Sequence, residues 1–145
     1  MWMVYGNIKK LLPILALLVI FLAGCGGVTT PVSDETQIRN KIGQWSAAIS
    51  AKNWELAKSC CYPGSPAYST TEQLKATLAP YSSLYTIWVN TTVYSVNIEG
   101  NEATTIVNIH TEVCIVGYQG GCITDDTGLG TMTLIKNRGE WYLYS

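Results

Sequence analysis

The spacing of apolar residues changes once along this 145-residue chain, near Leu84. Before that point, Ile38, Ile42 and Trp45 recur at intervals of four and three, which places them on one face of a helix over residues 34–51. After it, apolar and polar residues alternate, as they do in strands with one buried face. Helices followed by antiparallel strands predict an α+β domain with its N-terminal helices packed on a curved sheet.

Capping residues set the expected starts of the helices. Asp34 followed by Gln37 predicts a capping box at the first helix. Asn53 is the expected cap of a second, short helix, and Thr70 or Thr71 is the expected start of a third.

The alternating pattern predicts four strands. They are expected over residues 84–98, 103–116, 127–136 and 141–144, with a long hairpin connection over 117–126.

The N-terminal segment has the pattern of a secretory signal. Lys9 and Lys10 precede an apolar run over residues 11–23. At about 1.5 Å per residue, a helix of that length covers roughly 20 Å, which is less than the ~30 Å hydrocarbon core of a bilayer. A cleaved signal therefore explains the run better than an uncleaved membrane anchor, which is the alternative.

The end of that run, residues 22–25 (Leu-Ala-Gly-Cys), resembles the lipobox of bacterial lipoproteins. The resemblance implies that residues 1–24 are removed and that lipid is attached to the sulfur of Cys25, whose thiolate is the nucleophile for alkylation. Residues 25–33 then form a lipidated, flexible tether. Residues 34–145 form the domain, which we expect on the extracytoplasmic side of the cell membrane or of an outer membrane.

The charge of the mature chain argues against two kinds of partner. Without residues 1–24, seven Lys and Arg face ten Asp and Glu, which gives a net charge of −3. Such a chain has no basic field for nucleic acid. It also does not adhere to anionic lipid by its own surface, so we expect the lipid on Cys25 to hold it at the membrane.

Four cysteines follow Cys25, and they allow three full pairings. Cys114 and Cys122 flank a glycine-rich turn, so we expect a disulfide between them in an oxidising compartment. Cys60 and Cys61 are neighbours, a direct bond between them is strained, and their state stays open. The alternative is that all four are buried as small apolar side chains. No metal site or cofactor is predicted, because the chain has one histidine and no Cys-x-x-Cys pair.

Two parts of the chain resemble nuclear transport factor 2-like domains. The segments Ile42–Ile49 and Lys52–Ala57 resemble the opening helices of that superfamily, and Lys136–Leu143 resembles its last hairpin. The resemblance covers residues 34–145 and implies a cone of three helices and a bent sheet, which often encloses a pocket and often dimerises across the sheet. Members include isomerases, dehydratases and cyclases as well as non-catalytic binding domains, so the fold does not fix the function.

Enzymes of this superfamily place an acid or a base inside the cone, and no such pair can be matched in this chain. His110 and Glu112 share a strand face and could act as a base with its orienting partner. That face is the more polar one, so we expect it to be the outer surface. Asp125 and Asp126 are expected to be turn-forming residues at a hairpin tip.

Aromatic side chains with polar tips suit a binding pocket. The candidate pocket residues are Trp45, Trp54, Tyr81, Tyr85 and Trp88. The alternative is that they fill a core that is short of phenylalanine. The predicted function is a non-catalytic binding or scaffold domain for a small apolar ligand or an envelope protein. The alternative is a ketosteroid isomerase- or cyclase-like enzyme, which would require a carboxylate such as Glu55 or Glu99 inside the cone.

Overall fold

The computed structural model describes residues 31–117 and 121–145, so the predicted signal and lipidated cysteine lie outside the described residues. The helices are α1 (Asp34–Ser50), α2 (Trp54–Ser59) and α3 (Pro66–Leu78), and a 3₁₀ turn follows over Ala79–Tyr81. The strands are β1 (Tyr85–Glu99), β2 (Glu102–Ile115), β3 (Cys122–Asn137) and β4 (Glu140–Leu143). This order confirms the predicted α+β class. No helix among the described residues is long and apolar enough to cross a membrane.

Helix α1 begins with a different cap from the one predicted. The side chain of Ser33, not of Asp34, accepts a hydrogen bond from the N–H of Thr36 at 3.3 Å. The side chain of Gln37 donates to the carbonyl of Val32 at 2.9 Å instead of closing a capping box. Serine directly before the first helical residue is a strong N-cap, and it leaves the Asp34 carboxylate free for other partners.

The Asp34 carboxylate connects α1 to the last hairpin through hydrogen bonds. Its Oδ1 accepts from Lys136 Nζ at 2.7 Å and from the buried Trp141 Nε1 at 3.1 Å. Because of these hydrogen bonds, first from Lys136 and then from Trp141, the pKa of Asp34 lies below its ordinary value.

The second helix begins after Asn53 as predicted, and the third begins earlier than predicted. The Asn53 side chain accepts from the N–H of Leu56 at 3.2 Å. Helix α3 is capped by Ser65 and starts at Pro66, several residues before Thr70. Proline suits the first turn of a helix, because its fixed φ is helical and its missing N–H has no helical partner there.

The sheet is an antiparallel meander in the order β1-β2-β3-β4. Strand β3 begins at Cys122 rather than at residue 127, so the connection predicted over 117–126 is shorter than expected. The β2–β3 ladder runs out to the pair Cys114 and Cys122, which extends the hairpin through residues that the pattern had assigned to a loop.

The helices cover one face of the sheet, here called the inner face, and bury two apolar clusters. The first cluster contains Ile38, Ile42, Cys60, Cys61, Ala103, Val107, Met132, Leu134, Trp141 and Leu143. The second contains Ala48, Ile49, Trp54, Ala57, Tyr85, Ile87 and Val89. Both clusters lie within a compact unit, Val32–Ser145. This unit therefore carries its own core.

Cys60 and Cys61, whose state the sequence left open, are free thiols buried in the first cluster. Burial raises the pKa of both thiols, because the thiolate loses its hydration. We therefore expect both to be unreactive in the folded chain.

Helix α1 also covers the free edge of β1. The Ser50 hydroxyl accepts from the N–H of Val89 at 2.8 Å and contacts its carbonyl at 3.3 Å. Further along, Arg39 Nη1 donates to the carbonyl of Val93 at 2.7 Å. These contacts satisfy backbone groups that an edge strand otherwise offers to another chain.

Candidate functional site

The turn end of the β2–β3 hairpin and the segment that leads into β1 together present five large apolar side chains to solvent. They are Tyr81, Leu84, Ile115, Val116 and Ile123, with exposed fractions of 58, 56, 50, 61 and 69%. We call this group the apolar end surface. Single exposed apolar residues are ordinary, whereas a group of five at one end of a sheet is typical of a binding surface.

The backbone brings the members of the apolar end surface together. The N–H of Leu84 donates to the carbonyl of Tyr81 at 2.8 Å, and the N–H of Val116 donates to the carbonyl of Leu84 at 2.9 Å. Ile115 lies opposite the buried Tyr85 on the neighbouring strand, so its side chain points to the inner face.

Ile123 reaches the same face from β3. It lies opposite Val113, which in turn lies opposite the buried Ile87 of β1. Val113 is partly buried against the second cluster, whereas Ile115 and Ile123 lie beyond the cover that the helices provide. Ile115 and Ile123 are therefore the uncovered continuation of the core.

Asp125 adds a carboxylate to this inner face. It lies opposite Thr111, which lies opposite the buried Val89, and its side chain is exposed. Instead of forming a hairpin tip, Asp125 and Asp126 both lie within β3, contrary to the prediction from sequence. The local sequence explains the error, because adjacent aspartates beside glycine are common in turns.

The predicted disulfide is confirmed, and it lies on the outer face behind the apolar end surface. Cys114 and Cys122 are bonded at directly opposite positions, with their Cα atoms 4.2 Å apart. Cys114 directly precedes Ile115, and Cys122 directly precedes Ile123. The bond therefore joins the two strands at the point where they present these side chains. Glu112 lies beside the two sulfurs, but the disulfide already uses both.

His110 lies on the outer face, as predicted, but its partner is different from the expected one. Its Nδ1 is 3.8 Å from Asp126 Oδ2, and the two residues lie opposite each other across β2 and β3. The N–H of Gly128 and the side chain of Asn108 hydrogen-bond to Asp126 and lower its pKa. The His110 and Trp88 rings meet edge to face, with their centroids 5.9 Å apart.

The five aromatic side chains predicted to line a pocket lie in three different places. Trp54 and Tyr85 are buried in the second cluster, and Trp45 packs against it. Tyr81 belongs to the apolar end surface, and Trp88 is exposed on the outer face opposite Glu112. The structure thus brings together three of the five, in the core.

Two open grooves border α1. One, of about 930 Å³, follows its solvent side and is lined in part by Arg39, Lys41 and Gln44. The other, of about 500 Å³, lies between α1 and β1 and is lined in part by Ser46 and Trp88. Both are lined largely by polar or small residues.

Glu55 and Glu99, the two carboxylates considered as catalytic groups, are both exposed and do not lie inside the cone. Glu55 is exposed and pairs with Lys75 at 2.6 Å and Lys58 at 3.2 Å, and hydrogen bonds from these two lysines lower its pKa. Glu99 is also exposed and accepts a hydrogen bond from Asn97 at 3.0 Å. The structure therefore gives the catalytic alternative no support from these two residues.

No protein-family model matches the chain, and no curated protein matches it either. Several solved structures are similar to it. A conserved protein from Planctomyces limnophilus is 20% identical, with a TM-score of 0.62 over 77% of this chain and 91% of that one. A candidate dehydratase of the NTF2-like (nuclear transport factor 2-like) family from Streptomyces avermitilis is 15% identical, with a TM-score of 0.61 over 79% and 94%.

A candidate scytalone dehydratase from Novosphingobium aromaticivorans is similar at the same level. It is 12% identical, with a TM-score of 0.59 over 77% of this chain and 79% of that one. Identities this low show the fold alone, which is the curved antiparallel sheet with N-terminal helices of nuclear transport factor 2-like structures.

Proposed function

We propose that the chain is a lipid-anchored, extracytoplasmic binding domain, and that the apolar end surface is where it binds a small apolar ligand or a protein partner. The observation that carries this proposal is the group of five apolar side chains, each at least half exposed, at one end of the sheet. Burying such a surface contributes roughly 25 cal/mol per Å² of apolar area.

The anchor is supported by the sequence. The lysine pair, the short apolar run and the Leu-Ala-Gly-Cys segment ending at Cys25 occur in the order and spacing of a lipoprotein signal. Two acyl chains on Cys25 bind a membrane stably. The intact mass of the chain isolated from membranes tests this part, because cleavage and lipidation predict an N-terminal diacylated Cys25. An unmodified chain beginning with Met1 would contradict it.

The place where the tether joins the domain leaves the apolar end surface accessible. Helix α1 starts beside Lys136 and Trp141 and ends near Val89, toward the apolar end surface. Its 17 residues span about 25 Å. The domain therefore begins at the end of α1 that lies away from the apolar end surface.

Binding at this surface is tested with Nile red, a neutral apolar dye, on the compact unit 32–145. Ile115→Ser and Ile123→Ser should each weaken dye binding several-fold, because each removes apolar area from the surface. Leu129→Ser is the matched control, since Leu129 is 71% exposed but lies on the outer face. Equal binding by all three variants and the wild type would remove the basis of the proposal.

A homodimer across the sheet, which the family resemblance implies, stays a prediction. The outer face offers exposed Trp88, Tyr94 and Leu129 for it. Sedimentation equilibrium of the 32–145 unit measures it directly: a dimer that Leu129→Asp converts to monomer supports it, and a monomeric wild type at high concentration contradicts it.

A further inference from the structure

The two edges of the sheet differ in how they are covered. Helix α1 covers the edge of β1, as described above. On the other edge, β4 pairs with Leu134–Asn137, and backbone contacts of Tyr144 and Ser145 extend this cover to Thr133. Within the described residues, no strand pairs with positions 122–132 of β3 on that side. The apolar end surface thus adjoins an open edge.

The register identifies which backbone groups the open edge offers. Val89 directs its N–H and carbonyl at α1, so it does not bond to β2. In an antiparallel ladder, the opposite residue Thr111 therefore bonds toward β3, where it faces Asp125. By the same alternation, Thr124 and Asp126 direct their N–H and carbonyl groups away from β2, to the open edge.

The charge around this edge is one-sided. Between Lys75 and Lys136 the sequence contains no Lys or Arg, and it contains five carboxylates. Two of them, Asp125 and Asp126, lie on the open strand itself. Asp125 shares the inner face with Ile123, two positions away. An apolar and an acidic side chain therefore stand next to each other along the unpaired edge.

We propose that the open edge of β3 takes up an extended segment of another protein as an added strand, and that this segment carries an apolar and a basic residue two positions apart. The inference rests on the proposed function and names its partner. The backbone of the segment bonds to Thr124 and Asp126. Its apolar side chain packs beside Ile123 and extends the apolar end surface, and its basic side chain lies beside Asp125.

The same features disfavour two other occupants of the edge. A second copy of the chain paired through β3 would bring Asp125 and Asp126 close to their own counterparts, and like charges across strands are destabilising. An anionic lipid surface is repelled by the same carboxylates. A basic, apolar segment is complementary to both the charge and the apolar side chains.

The test uses an acetylated and amidated heptapeptide, Thr-Val-Thr-Lys-Thr-Val-Thr, in which valine and lysine lie two positions apart on one strand face, titrated onto the 32–145 unit. We expect saturable binding that protects the amides of Thr124 and Asp126 from hydrogen exchange. Thr124→Pro should weaken binding at least tenfold, because it removes an N–H that faces the added strand while leaving the β2 ladder intact. Asp125→Asn should weaken peptide binding about threefold or more. The control Glu102→Gln makes the same change of charge at an exposed residue of β2 and should weaken binding by less than twofold.

A peptide of the same sequence with every internal backbone amide methylated keeps its charge but has no N–H groups for strand pairing at either edge, so it should not bind. The proposal is overturned if the methylated peptide binds as tightly as its parent, or if folded Thr124→Pro binds within twofold of the wild type. Loss of strand addition with intact dye binding at Ile115 and Ile123 removes only this inference. Dye binding that is indifferent to those two residues removes the proposed function itself.

Discussion

Cys114 on β2 and Cys122 on β3 lie directly opposite each other on the outer face and are joined by a disulfide. The residues that directly follow them, Ile115 and Ile123, point to the inner face and form part of the apolar end surface. A covalent bond on one side of the hairpin therefore fixes the strand register that the binding surface on the other side requires.

Removing this disulfide should lower the stability of the domain. The disulfide closes a short loop, with a sequence separation of eight residues. For a loop of that length, the chain-entropy relation gives a contribution of about 2.5 kcal/mol to the free energy of unfolding. The double variant Cys114→Ser/Cys122→Ser should show that loss in urea unfolding, and its amides over residues 111–126 should exchange faster than in the wild type. Adding a reductant should destabilise the wild type but not the variant. Identical unfolding curves for the oxidised wild type and the variant would argue against this role.

Leu134 is fully buried in the first cluster, and its truncation tests the core directly. Leu134→Ala should lower the free energy of unfolding by about 2–5 kcal/mol, because it loses apolar burial and leaves a cavity. Leu129→Ala on the same strand is the control: it is exposed, so we expect a change within about 0.5 kcal/mol. Denaturant unfolding measures both, and a similar loss in the two variants would contradict the assigned faces of β3.

The lowered pKa of Asp34 predicts that the free energy of unfolding decreases as the pH falls in the acid range. Its pKa in the folded chain is lowered, so its contribution is present above the ordinary value near 3.8 and is lost as the pH falls through the folded value. Asp34→Ala should therefore be less stable than the wild type at pH 7, and the two should converge below pH 3.8. Glu35→Ala is the control, because Glu35 forms an exposed ion pair with Arg39 and should change stability little. A difference that persists unchanged at low pH would exclude the carboxylate as its source.

Cys60 and Cys61 should resist thiol reagents. With the disulfide intact, a water-soluble thiol reagent should label no cysteine of the native 32–145 unit and both of these thiols after denaturation, since both are buried and their thiolates are disfavoured. Rapid labelling of the native protein would show that the first cluster opens more readily than its packing implies.

The sequence predicted the three α-helices and four strands of the described residues, but it misplaced boundaries where one residue type has two roles. The sequence analysis placed the start of the third helix at Thr70 or Thr71, but with Ser65 as the cap α3 begins at Pro66. Ser33 and Asp34 are both good caps, and only the tertiary contacts of Asp34 with Lys136 and Trp141 separate their roles. Such contacts are absent from any local pattern.

The candidate site was partly available from the sequence. A disulfide at opposite positions 114 and 122 sets a register in which residue 110 faces residue 126, so the pairing of His110 and Asp126 could have been derived. The alternation along β1 likewise separates Tyr85, which is buried, from Trp88, which is exposed. The extent of the helical cover could not be derived in this way, because it depends on how far α3 and the turn after it reach over the sheet.

The most direct test of the account is to locate where an apolar molecule binds. Nile red titrated onto ¹⁵N-labelled 32–145 should shift the amide signals of Leu84, Ile115 and Ile123 and leave the α1 signals unchanged. Shifts confined to the α1 grooves, or to the outer face around Trp88, would contradict the claim that the apolar end surface is the binding site.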